Sequence, residues 1–385
     1  MLRRQRFGIV ATVIALSVMV LGGCSSTQVP TPSPSPARTT APSQAPTPVP
    51  TSTPTPQPVS LTVGTPPADI SAFSAGYDPV SQRLIVQAGM NAASSPELIS
   101  QTWAWNGTTW AQLQPTREPP PEVGGSMAVD PISGHLMFAG GDSFSETVDS
   151  QGNNVPHWSA NNGTWLWDGA TWTRVADNPR QGGYPALALD NATGQLLLSS
   201  PDIRGVMTTD DLEGSGPPWY GQGAYRWTGT GWTPVPQGAS VSFMLDSAAA
   251  YDPISRRLVQ FGGTSQAPND ETQAYDGGGW RLLQPSTVPP AGSALAATDE
   301  STDEIVMITY SVDHPDLTST WTWNGSNWVR HILNEPPQDV LNGHRGQMLW
   351  DPAINKIVLV GFGGDNSLRM WVWAGISYGW QQLPA

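Results

Sequence analysis

Four residues in two segments offer the clearest chemistry in this sequence: His157 and Trp158, then Trp219 and Tyr220. Around them stand Asp142, Glu146, Asp149, Asp202, Asp210, Asp211 and Glu213. Aromatic rings beside carboxylates suit stacking on, and hydrogen bonding to, a sugar or a peptide, and the oxygens suit a calcium ion. The same rings would serve equally to close a satellite core where two long loops fold over each other. We read the four as ligand-binding residues and expect no cofactor, calcium being the one ion the oxygens would admit. No residue presents itself as catalytic. Among five histidines, His135, His157, His314, His331 and His344, His314 sits between Asp313 and Asp316, yet no spacing matches a metal-binding signature, so a metal site is left unassigned. There is no Gly-x-Ser-x-Gly, no phosphate loop and no dinucleotide fingerprint.

Composition narrows the partners. The 385 residues carry 17 Lys plus Arg against 31 Asp plus Glu, a formal charge of -14, and only 12% are charged. Phosphate recognition needs clustered basic residues, so this balance argues against nucleic acid. One cysteine, Cys24, rules out a disulfide framework and a multi-cysteine zinc site. Stability must come from apolar burial, to which 18 tryptophans would contribute most.

The N-terminus reads as an address and a tether. Arg3, Arg4 and Arg6 precede the apolar run Ile9 to Leu21 and then small residues, the order of an export signal, and the run is too short to span a bilayer comfortably. The junction Leu21-Gly22-Gly23-Cys24 resembles a bacterial lipoprotein signal box. That resemblance implies a signal peptide over 1-23, lipid on Cys24, and a chain held at the cell envelope outside the cytoplasm. Residues 24-58 form a Pro/Ser/Thr-rich disordered tether, with 11 prolines among the 34 residues after Cys24. Polyproline II at ~3.1 Å per residue would let it reach roughly 100 Å.

Residues 59-385 must position the candidate site, and they repeat one pattern six times. One word is Trp-x-Trp-x-Gly-x-x-Trp: Trp103, Trp105, Gly107 and Trp110, then Trp165, Trp167, Gly169 and Trp172. It recurs from Tyr225, Tyr275, Trp321 and Trp371. The other word ends in Asp, turns, and leads to an apolar run, as in Tyr77-Asp78-Pro79 before Leu84-Ile85-Val86. Its aspartates, Asp78, Asp130, Asp190, Asp252, Asp299 and Asp351, are 52, 60, 62, 47 and 52 residues apart. Both words predict hairpins, because Asp-Pro sets an Asx turn and Asn-Gly or Asp-Gly tolerates positive φ. Each repeat then supplies four antiparallel strands, and six such sheets hide their apolar faces by stacking around an axis. Six equivalent aspartates are turn residues rather than one catalytic centre. The longest connections, Asp142 to Asn162 and Pro201 to Gly223, fall on one face and hold the four ligand-binding candidates. Closure is left open between simple face packing of the sixth sheet and an added edge strand from Val59 to Val63.

The Gly-Gly that ends an apolar run, as at Gly140-Gly141 and Gly262-Gly263, and the Trp after a hairpin turn resemble kelch repeats of kelch and galactose-oxidase-like β-propellers. The resemblance covers residues ~65 to 385 and departs from its pattern at Ser199-Ser200 and Ile308-Thr309, where glycines would stand. It implies an all-β fold, a six-bladed β-propeller of four-stranded antiparallel blades. The copper-radical oxidation of galactose oxidase uses a tyrosine crosslinked to cysteine, and residues 59-385 contain no cysteine, so that chemistry is excluded. Asp168-Gly169-Ala170-Thr171-Trp172 is similar to the Asp box of sialidase propellers but lacks one residue between Asp and Gly. The expectation is therefore a lipid-anchored propeller that binds a carbohydrate or protein ligand on its long-loop face. An extracytoplasmic glycan hydrolase or lyase using that face is the alternative.

Overall fold

A computed structural model describes residues 62–63, 70–87, 89–91, 97–148, 151–152, 154–160, 163–179, 185–200, 223–236, 246–264, 268–310, 318–332, 334–336, 340–341, 346–362 and 368–383. The expected signal peptide, Cys24 and the tether lie outside the described residues. Within them every regular element of three residues or more is a β-strand, and no helix is long and apolar enough to cross a membrane.

Six sheets each carry four antiparallel strands laid side by side in chain order, and we refer to them as blades. Blade one takes Ser74–Asp78, Arg83–Gln87, Thr102–Trp105 and Trp110–Gln112. Blade two takes Val123–Val129, Leu136–Val148, Gly163–Trp167 and Trp172–Asp177, and blade three Ala186–Asp190, Gln195–Ser200, Gly223–Trp227 and Trp232–Val235. Blade four follows with Ala248–Asp252, Arg257–Phe261, Thr272–Tyr275 and Trp280–Leu282, and blade five with Ser293–Asp299, Glu304–Tyr310, Ser319–Trp323 and Trp328–His331. Gly346–Asp351, Lys356–Phe362, Leu368–Trp373 and Trp380–Gln382 make blade six. The sheets total seven rather than the expected six, because Ile70–Ser71, Met90–Asn91 and Glu97–Leu98 pair into a small sheet of their own. Two of those strands arise inside the blade-one connection between Gln87 and Thr102.

Ring closure follows from the packing. First strands touch in cyclic order, and that of blade six returns to that of blade one. Six apolar clusters occupy the six seams. At the closing seam Trp103 and Trp110 of blade one pack with Val358, Val360 and Met370 of blade six. Blade six owns all four of its strands, and in addition Thr62–Val63 pairs antiparallel with Ala111 and Gln112 at the outer edge of blade one. Closure is therefore by face packing of blade six on blade one, and the added N-terminal strand widens blade one without joining it to blade six.

The turns work as their residues dictate. In blade one the Asp78 carboxylate accepts from the Val80 and Ser81 amides at 3.1 Å and from Ser81 Oγ at 2.6 Å, and Asp130 and Asp252 repeat the arrangement. Four residues after each of the six aspartates the backbone takes positive φ: Gln82, Gly134, Gly194, Arg256, Asp303 and Asn355. The hairpin glycine of each Trp word also has positive φ, between 88° at Gly277 and 96° at Gly107. Some turns interlock with the previous blade. A Cβ on Gly325 would lie 2.8 Å from Cγ2 of Ile254, whereas one on Gly375 would meet nothing within 4 Å.

Candidate functional site

First strands crowd together at the axis, which is why they carry small residues there: Ala75, Gly125, Ala186, Ala248, Ala294 and Gly346, one from each blade. Between them lies a cavity of about 140 Å³. Among the described residues its polar lining comes from Ser126, Asp246, Ser247, Tyr310 and Gln347. Asp246 and Ser247 immediately precede the first strand of blade four, and Tyr310 ends the second strand of blade five. Antiparallel alternation puts the start of a first strand and the end of a second strand at the same face, so the polar groups gather at one mouth. Asp246 is held in the left-handed region at φ 56°, with its carbonyl accepting from the Ala294 amide of the next blade at 3.0 Å. Ser126 Oγ donates to the Pro185 carbonyl across the seam between blades two and three. Ser247 Oγ accepts from Gln260 Nε2 at 2.7 Å.

The blade-two part of the sequence-derived site leaves from the same face. The segment from Asp142 to Asn162 was expected to be a loop, but most of it is a two-stranded ribbon: the second strand of blade two runs on to Val148 and pairs with Asn154–Ala160. This register sets His157 opposite Ser145 and Trp158 opposite Phe144. Alternating residues in both runs and a turn containing Gly152 were the available signal, and the acidic side chains obscured it. Trp219 and Tyr220 lie outside the described residues, as do Asp149, Asp202, Asp210, Asp211, Glu213, His314 and His344. The structure therefore places two of the four candidates on the ribbon. Among the described residues no three His, Cys, Asp or Glu side chains converge to hold a metal ion.

The remaining histidines sit apart from the cavity. His135 lies just before the second strand of blade two at the opposite, short-turn face. His331 ends blade five, its Nε2 3.0 Å from Thr322 Oγ1, and burial holds its imidazole below the usual histidine range.

A second set of polar residues escaped the sequence reading. The Trp that opens a fourth strand donates its indole N–H to a threonine of the preceding blade at four seams. The pairs are Trp172 to Thr102, Trp232 to Thr164, Trp328 to Thr272 and Trp380 to Thr320, at 2.9 to 3.0 Å. Three of those threonines are engaged in turn by a side chain placed just before a proline. Thr102 N and Oγ1 each donate to Glu118 at 3.2 Å, Thr320 bonds Glu335 through its amide at 2.9 Å and its hydroxyl, and Thr164 bonds Asn178. Burial pushes the Glu118 and Glu335 carboxyls above the ordinary glutamate range, against the opposing pull of the threonine hydrogen bonds. The signal was legible as Thr at the head of the Trp word and Glu-Pro or Asn-Pro at its end, but it becomes meaningful only when adjacent blades face each other.

No protein-family model matches the chain, and no curated protein matches it at significant similarity. Solved structures do. The structure of YjhT superposes with a TM-score of 0.54 at 10% identity, covering 84% of this chain and 99% of that one. A fucose-specific lectin from Aleuria aurantia gives a TM-score of 0.50 at 13% identity, covering 82% of this chain and 96% of the lectin. At such identities the likeness speaks to fold alone. Repeated four-stranded antiparallel sheets closed into a ring, seams filled by aromatic clusters, and these two neighbours together establish an all-β protein of β-propeller fold.

Proposed function

We propose that this propeller is a carbohydrate-binding module whose ligand sits on the face that holds the axial mouth and the blade-two ribbon. One observation carries the reading: hydroxyl, amide and carboxyl groups of Ser126, Ser247, Gln347 and Asp246 open at the same end of the ring from which the ribbon bearing His157 and Trp158 departs. Polar groups that fix orientation beside aromatic residues are what a sugar requires. The likeness to a fucose-specific lectin is consistent with this use of the fold. Binding is favoured over glycan cleavage because Asp246 is the single carboxyl group among the described residues lining the cavity, whereas glycoside hydrolysis ordinarily employs two. We count the ring as six-bladed, with the small seventh sheet an elaboration of blade one, and its repeat as kelch-like on the strength of the Gly-Gly and Trp slots. His157, Trp158, Trp219 and Tyr220 remain the proposed contact residues, with calcium as an optional ion, and a protein ligand is the competing occupant of the same face.

The N-terminal features complete the proposal: lipid on Cys24, a tether over 24-58, and display at a bacterial cell envelope. Lipidation is tested by metabolic labelling with a fatty-acid analogue, which should mark the chain and be lost in Cys24→Ala. Ligand class is tested on a glycan array, where Trp158→Ala and Trp219→Ala should each lower the signal at least tenfold while thermal unfolding stays unchanged. An array on which the intact protein binds no glycan sinks the carbohydrate reading, and release of reducing ends from a bound polysaccharide would turn it toward an enzyme.

A further inference from the structure

Blade four departs from its five siblings at two buried positions. Gln260 and Gln273 face each other across the second and third strands, and each is 1% exposed. At the position of Gln260 the other blades carry Val86, Phe138, Leu198, Met307 and Leu359, and at that of Gln273 they carry Trp103, Trp165, Tyr225, Trp321 and Trp371. The amides therefore sit in the seam with blade three, beside the cluster of Leu197, Ala224, Leu258 and Tyr275, where an aliphatic and an aromatic residue would fit the pattern. Burying an amide is costly unless its hydrogen bonds are made, and a fully apolar replacement of the same shape is often neutral or stabilising. Repetition supplies the control, since this chain solves the same packing problem five times with apolar side chains.

What distinguishes this seam is its neighbour. Gln260 Nε2 donates to Ser247 Oγ, and Ser247 lines the axial cavity beside Asp246. The Gln260 Oε1 is buried and has no hydrogen-bond partner. The donation occupies a lone pair of Ser247 and so turns its hydroxyl proton away from Gln260. Among the described residues the lining offers one carboxyl group, one phenol, two hydroxyls and one amide and no Lys or Arg, a set that disfavours an anion and satisfies hydroxyl groups.

Resting on the carbohydrate reading above, we propose that Ser247 and the buried Gln260–Gln273 pair form the specificity-determining wall of the axial cavity, and that the cavity takes a neutral, hydroxyl-rich group the size of one sugar residue. Ser247 touches the ligand; Gln260 is a positioning residue that acts through Ser247.

The test uses the intact protein and a panel of methyl glycosides (fucoside, galactoside, glucoside and mannoside) with methyl glucuronide as the anionic probe, read by saturation-transfer NMR and titration calorimetry. At least one neutral glycoside should bind, glucuronide should bind at least tenfold more weakly, and Ser247→Ala and Gln260→Leu should each weaken the neutral glycoside tenfold or more. Gln260→Leu should meanwhile keep or raise the melting temperature, which a purely structural amide would not. Gln260→Met, bearing the blade-five residue, serves if the leucine variant misfolds. Unchanged binding in the folded Gln260 variants, equal binding of glucuronide, or failure of every panel member to bind overturns the proposal. Array binding that depends on Trp158 but ignores Ser247 and Gln260 would reject this wall while leaving the carbohydrate reading intact.

Discussion

The four seams with a threonine and the two without it solve one problem differently. Between blades one and two, two and three, four and five, and five and six, the fourth-strand tryptophan buries its ring and also satisfies its N–H on the neighbouring blade. At the seam of blades three and four that threonine position holds Ala224, and at the closing seam it holds Met370. Trp280 and Trp110 pack there against apolar clusters. The contrast shows that the aromatic ring is the constant of the repeat and the hydrogen bond an addition. It also shows where the ring departs from its own rule: one exceptional seam is where the chain closes, and the other borders the polar wall of the cavity.

The largest way to break the comparison is Trp328→Ala, which removes a ring 2% exposed together with its bond to Thr272 and should cost about 3–5 kcal/mol in urea unfolding. Next comes Thr320→Val, expected to lose about 1–3 kcal/mol, because it strips Trp380 of its acceptor and Glu335 of a donor inside a packed seam. Sharper though smaller is the pair Trp328→Phe and Trp110→Phe. Both keep an aromatic ring, but only the first orphans a threonine, so it should be the more destabilising by about 1 kcal/mol. Equal losses would show that the indole N–H contributes nothing to the seam. Of similar size is the gap between Gly325→Ala and Gly375→Ala. Each forces alanine to a φ near 90°, a strain of about 1–2 kcal/mol, and only the first also drives a Cβ into Ile254.

The smallest effect is on pH. Burial is the main cause raising the Glu335 carboxyl above its unfolded range, partly offset by Thr320 and Arg330. A raised carboxyl binds its proton more tightly in the folded chain, so its contribution is fullest at pH below the ordinary glutamate range and fades as pH rises through the folded value. Acidifying from neutral should therefore raise the melting temperature of the wild type relative to Glu335→Gln. A difference between the two that stays flat from pH 7 to pH 4 would place the side chain in effectively aqueous surroundings.

Much of the architecture could be read from residues close together in the chain. Asp78 and its five equivalents make the turns their neighbours predict, and the hairpin glycines take the positive φ that Asn-Gly and Asp-Gly advertise. The ribbon of blade two was misread as loop because its alternation is interrupted by acids and serines, and the seventh sheet was missed because strands of two residues carry no periodic signal. The candidate site was half legible. Trp158 stood out because it fills no repeat slot, whereas Ser247 and Asp246 are ordinary in sequence and matter only through the axis they reach.

By itself the sequence determined the repeat, its turns and its apolar periodicity, since these depend on φ preferences and side-chain alternation over a few residues. Tertiary structure alone decided which side chains meet across a seam, because Trp380 and Thr320 are 60 residues apart and Ser126 and Pro185 are 59 apart. It also decided that six small-residue strands leave a polar cavity rather than a sealed core, a consequence of how closely backbones approach on an axis that no single repeat contains.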